Sequence, residues 1–138
     1  IWIKINLFGS KSLLIGAYYK PHEHDQHSWE EFSKSLSKAR KLKCNIWVAG
    51  DFNLPKMDWG HMCPSPDCKH PSFYRQITEV LNYSIFTQTV SLPTRDSNIL
   101  DLLFTTNPTL VQQVSILPGI SDHGIVQIQV NTSSFAGK

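Results

Sequence analysis

The sequence predicts an α/β fold: a mixed β-sheet with helices on its outer face. Three observations lead there. Runs of alternating apolar and polar residues stand near both ends of the chain, an uninterrupted apolar run ("NIWVAG") lies between them, and two stretches flanking that run carry apolar residues at three- and four-residue steps. A chain of 138 residues, 41% hydrophobic and 17% charged, suits one globular domain. We expect that domain over residues 1–130 and a loose tail over 131–138.

The opening run "IWIKINLF" alternates Ile1, Ile3, Ile5 and Leu7 with Trp2, Lys4 and Asn6, the period of a half-buried strand. It is in register from its first residue, so we expect a neighbour upstream and read the chain as the later part of a longer domain. After a turn at residues 9–11, "SLLIGAYY" (12–19) is rich in β-formers and close enough to pair back as a hairpin, which Pro21 ends. Ser28 followed by Glu31 has the spacing of a capping box, and Trp29, Phe32, Leu36 and Ala39 then form one helical stripe. Lys38, Arg40, Lys41 and Lys43 crowd the end of that helix, where its dipole favours cations.

The apolar strand that starts at Asn45 and finishes in Asp51-Phe52-Asn53 comes next, and the following loop, 54–71, contains four prolines and is read as lacking regular structure. Ser72 is placed to cap a second helix whose Phe73, Ile77, Val80 and Leu81 share a face. A short strand at 85–89 and three longer ones, 98–106, 111–117 and 124–130, complete the order. Because β-β-α-β gives way to mostly β, a mixed sheet is expected in place of a purely parallel one.

Composition excludes little on its own. A net charge of +2 is too small to diagnose a nucleic-acid partner. Three cysteines are an odd set without framework spacing, so reduced thiols in an intracellular, unsecreted protein are expected. No apolar stretch reaches the ~18 residues that span a bilayer, and no membrane partner is expected.

Ligands of open α/β sheets bind just beyond the strand ends, so polar residues at those ends are the ones to weigh. Tyr19 precedes Pro21, Asp51 and Asn53 follow "IWVAG", Asp101 lies inside "NILDLLF", and Asp122 and His123 lie in "GISDHGIV". Asp51, Asn53 and Asp122 are ordinary turn formers, and a lone histidine is more often structural than catalytic. Asp101 is different, because a carboxylate inside an apolar strand is costly unless paired. His123 is the attractive partner: an acid accepting one imidazole N–H fixes the tautomer and leaves the other nitrogen for a substrate.

Taken in order, "YYKP" (18–21), "GDFN" (50–53), "LD" (100–101) and "SDH" (121–123) resemble the endonuclease/exonuclease/phosphatase superfamily. Within it, "WIKINLFGSKSLLIGAYYKP", "GDFNLPKMDW", "SLPTRDSNILDLLFTTNP" and "LPGISDHGIV" are similar to the endonuclease domain of non-LTR (LINE-type) retrotransposons, of which Thr94-Arg95 is a particular feature. The resemblance implies a four-layered α/β sandwich with mixed sheets, truncated here at the N-terminus. It implies a metal-dependent DNA endonuclease using Mg²⁺, or Mn²⁺ in its place, on a longer polypeptide with a reverse transcriptase, acting in the nucleus.

It also implies roles. Asp51 would orient or deprotonate the attacking water and Asn53 would hold that water or the phosphate. His123, oriented by Asp101, would contact the scissile phosphate, Tyr19 would donate its hydroxyl, and Arg95 would bind substrate. Asp122 would join Asp51 on the metal side. The superfamily carries an Asn and a metal-binding Glu near the start of its domain, and nothing upstream of Ile1 supplies them, so this chain alone is expected to be inactive. His22 stands where an Asn is common.

Other readings stand beside this one: a phosphoinositide or sphingolipid phosphoesterase of the same superfamily, and a decayed remnant that binds nucleic acid without cutting it. A separate reading takes His61, Cys63, Cys68 and His70 as zinc ligands, but their spacing is unlike the usual pairs and a surface loop is expected.

Overall fold

The computed structural model describes residues 1–131; all but the first residue of the expected tail lies outside them. Its centre is a five-stranded sheet in the order β1-β2-β3-β7-β6. These strands are β1 (Trp2–Ile5), β2 (Leu13–Tyr19), β3 (Asn45–Asp51), β6 (Thr87–Gln88) and β7 (Asp101–Thr105). Only β2 and β3 run parallel, joined by α1 (Gln26–Arg40); the other pairs are antiparallel, so the mixed α/β sheet is as expected.

Pleating sends alternate side chains to opposite faces, and the two faces have different partners. Leu14, Ile46, Val48, Leu102 and Phe104 pack with α1 and α2 (Pro71–Tyr83) in one core. Leu13, Trp47 and Leu103 point the other way, against the hairpin of β8 (Val111–Leu117) and β9 (Ile125–Val130). The described residues thus make three layers: helices, five-stranded sheet and a two-stranded sheet.

Helix α1 buries Trp29, Phe32, Leu36 and Ala39, the stripe that its sequence predicts. Its cap differs. Asp25 is the N-cap, its carboxylate accepting from the Ser28 amide at 3.0 Å, while the Ser28 hydroxyl meets the Tyr18 hydroxyl at 3.0 Å. Helix α2 starts at Pro71, with His70 as N-cap and Ser72 already inside, because proline's fixed φ suits the first helical turn. It buries Tyr74 and Thr78 beside Phe73, Ile77 and Leu81, and Val80 is only partly covered. Tyr74 is turned inward by hydrogen bonds, donating to Glu23 at 2.8 Å and accepting from the Lys56 amide at 3.3 Å.

The loop at 54–71 is not wholly irregular. It holds a small hairpin of β4 (Met57–Asp58) and β5 (Cys63–Pro64), which tolerates Pro64 because the ladder has only two strands and open edges. The strand expected at 85–89 shrinks to Thr87–Gln88, since the Ile85 amide still bonds back to Asn82 at the end of α2. The strand expected from 98 begins only at Asp101, because the amides of Leu100 and Asp101 turn to the Thr94 hydroxyl, both at 3.1 Å. Asp101 therefore opens its strand and does not interrupt it.

Candidate active site

Register brings the first three acidic and phenolic groups together. Tyr19 lies opposite Asp51 in the parallel pair β2–β3, and Asp51 lies opposite Asp101 in the antiparallel pair β3–β7. Partners in register share a face, so all three project from one end of the sheet on the side away from the helices. Tyr19 is 67% exposed there.

The turn after β3 fixes Asp51. Gly50 has φ +148°, and a Cβ on it would fall 1.7 Å from the Tyr18 carbonyl oxygen, so only glycine fits. Phe52 is fully buried, as expected from the sequence, its amide bonded to the Leu100 carbonyl at 2.9 Å and its ring edge-on to Phe104 and Tyr18. Asn53 then takes a left-handed conformation, φ +46°, which asparagine tolerates better than most residues. Its amide donates to Asp51 Oδ1 at 2.9 Å and its side-chain Nδ2 donates to the Pro21 carbonyl at 3.1 Å.

His123 arrives on the loop between β8 and β9. Its Nδ1 stands 2.7 Å from Asp101 Oδ2, and its Nε2 stands 4.0 Å from Asp51 Oδ2. The first is a hydrogen bond. The second is too long for one, yet short enough for a single water or phosphoryl oxygen to touch both atoms. Gly119 makes the loop possible: a Cβ there would fall 1.7 Å from the His123 carbonyl oxygen. The Thr94 carbonyl accepts from the Gly124 amide at 2.7 Å, so one buried threonine ties Asp101 to the loop of His123. Arg95, next to it, meets Asp122 Oδ2 at 2.9 Å on the exposed rim.

The electrostatics follow from this geometry. The bond to Asp101 raises the proton affinity of His123 above the usual imidazole value, burial opposing it and the charges of Asp101, Asp51 and Asp122 adding to it. Burial pushes the Asp51 carboxyl above the usual carboxylate range; the Asn53 amide pulls it back in part, and the charge of Asp101 raises it again. Asp51, Asp101 and His123 offer ligand atoms all within 4.8 Å of one another, the one group of three or more metal-binding side chains among the described residues. The donor set fits a hard divalent cation: two carboxylates that repel each other, with room for the waters that Mg²⁺ retains. His61, Cys63, Cys68 and His70 form no such group, and His61 Nδ1 pairs with Asp58 at 2.8 Å.

Lys20 is a residue that the sequence reading passed over. Fully buried, it donates through Nζ to the carbonyls of His22 and Glu23, both at 2.6 Å, and of Asn53 at 3.2 Å, while its amide donates to the Asp51 carbonyl at 2.9 Å. Burial lowers its pKa to about 8, against the charges of Asp25, Glu23 and Asp51. The signal was available in the alternation: Leu14, Gly16 and Tyr18 face the helices, so the next even position must turn inward too.

No curated protein matches this sequence. Residues 13–127, which include every residue of the cluster, match the family model described as endonuclease-reverse transcriptase. With its motifs gathered at one sheet end, the chain belongs to the endonuclease-reverse transcriptase family of the endonuclease/exonuclease/phosphatase superfamily.

Proposed function

We propose that the chain supplies the hydrolytic site of a DNA endonuclease from a LINE-type retrotransposon, one that nicks target DNA and is joined to a reverse transcriptase. The observation that carries this is the triad spacing: His123 bonded to Asp101 on one side and held 4.0 Å from Asp51 on the other. Hydrolysis of a phosphodiester forms a water-oxygen bond to phosphorus, breaks the bond to the leaving oxygen, and needs charge neutralised on the phosphoryl oxygens.

Each role falls to a placed group. Asp51, carrying a carboxylate with raised proton affinity, accepts a proton from the attacking water; Asn53, with one amide hydrogen left after its bond to Pro21, steadies that water or the phosphate. His123, whose proton affinity Asp101 raises, donates from Nε2 to the phosphate in its protonated form, and Tyr19 donates from the end of β2. Arg95 keeps donors free beyond its bond to Asp122 for a flanking phosphate, and that bond leaves Asp122 at the exposed rim, outside the group of Asp51, Asp101 and His123. Asp51 and Asp101 would hold Mg²⁺ or Mn²⁺, whose chemistry is to polarise a phosphoryl oxygen and neutralise developing charge.

Nicking of supercoiled plasmid by the full-length protein tests the proposal. Asp51→Ala is expected to slow it by about 100-fold or more, and a variant as fast as the wild type would remove Asp51 from the reaction. Faster turnover of inositol-phosphate or sphingolipid head groups than of DNA would reassign the substrate.

A further inference from the structure

The opposite end of the sheet carries a second feature, which the hydrolytic reading leaves unused. Strand β3 runs from Asn45 to Asp51, so a groove at Asn45 lies roughly 20 Å from the acidic cluster. That groove, about 530 Å³ in volume, is lined by Lys11, Arg40 and Lys43 with no carboxylate among its lining residues. Helix dipoles explain part of this, because α1 and α2 both end nearby and cations suit helix C-termini. They do not explain Lys11, which comes from the β1–β2 turn, nor why none of the three pairs with a carboxylate among the described residues.

One more observation points to a ligand with flat rings as well as charge. Arg40, on the groove wall, lies over the Tyr83 ring at 4.7 Å; Tyr83 is 76% exposed and lines the adjoining depression, which Arg40 shares and which also holds Glu79. Lys43 and Ile85, also on the groove wall, hold left-handed φ values of +53° and +58° because they end α1 and α2: the Lys43 amide returns to Arg40 at 3.4 Å, the Ile85 amide to Asn82 at 3.1 Å and the amide of the buried Phe86 to Leu81 at 3.2 Å.

We propose that this groove is a second nucleic-acid site, which takes a single-stranded segment with its phosphates on Lys11, Arg40 and Lys43 and a base stacked on Tyr83. Paired cations beside an exposed aromatic are the elements by which proteins hold single strands without reading sequence. The site uses no residue of the hydrolytic cluster and needs no metal.

Fluorescence anisotropy of a labelled oligothymidylate of about twelve nucleotides, in EDTA and across about 50 to 200 mM salt, tests it on the 138-residue chain. Exchanging Lys11, Arg40 and Lys43 together for Gln is expected to flatten the log–log salt slope by about 2, at ~0.7 per phosphate contact. Exchanging Lys4, Lys34 and Lys69 for Gln alters net charge equally and is expected to leave the slope near the wild-type value. Tyr83→Ala is expected to weaken binding about tenfold at unchanged slope.

Lys43→Gly guards against a folding artefact: it relieves the φ of +53°, so the melting temperature holds or rises while about 0.7 of the slope is lost. Unchanged binding in the groove triple, or an equal loss in the control triple, overturns the site. Unchanged binding in Tyr83→Ala overturns the base contact. The readout is binding in EDTA, where no hydrolysis occurs, and the exchanged residues lie outside the hydrolytic cluster, so failure here and failure of the hydrolytic proposal are separate results.

Discussion

At Gly50 the backbone leaves β3 with φ +148°, and a methyl group would sit 1.7 Å from the Tyr18 carbonyl oxygen. Gly50→Ala is therefore expected to cost about 3 kcal/mol or more, lowering the melting temperature by roughly 10 °C for a chain of this size. Thermal denaturation followed by circular dichroism reads it. His123 is the second informative residue. Its bond to Asp101 raises its pKa, so the pairing stabilises the fold fully below the unfolded imidazole value of about 6.5 and is lost as pH rises through the folded value. An NMR titration of the metal-free chain is expected to place His123 above that value, and Asp101→Asn to bring it down and flatten the pH dependence of stability.

Among the elements, those defined by a long stripe or run were legible: the α1 stripe, β8 and β9 lie within a residue of where their patterns predict, and β3 lies on its uninterrupted apolar run. Ends and caps were not, because they depend on which of several polar groups wins a local competition. Asp25 outcompetes Ser28, whose hydroxyl is drawn to Tyr18; Pro71 displaces Ser72 as the start of α2; Thr94 takes the amides that would have extended β7. The loop pair at 20–25 and 51–53 shows the same thing, since Lys20 joins them through three carbonyls that no periodicity reveals. Lys20→Met strands those acceptors in the core and is expected to cost about 2–3 kcal/mol. Hydrogen exchange is expected to speed up at Phe52 and Asn53, and unchanged protection there would show that the clamp is idle.

Across the molecule, the site is assembled by the parallel crossover β2–β3, the antiparallel pair β3–β7 and the β8–β9 loop, which bring residues 19, 51, 101 and 123 to one sheet end from distant parts of the chain. The ordered motifs named these residues, but their mutual distances came only with the register and with the β8–β9 loop. Asp122 shows what the motifs left open: its neighbour in sequence is His123, yet its own partner is Arg95. If Asp51 and Asp101 hold a divalent ion, Mg²⁺ at about 100 times its Kd should stabilise the chain by about 2.7 kcal/mol. Asp51→Asn is expected to abolish that gain in a thermal-shift titration. The most direct test of convergence is a double-mutant cycle on plasmid nicking by the full-length protein, with Asp51→Ala and His123→Ala made singly and together. Groups that act on one phosphate as a unit should lose nearly the same rate in all three variants. Losses that simply multiply, or a single variant that nicks at the wild-type rate, would contradict a shared site.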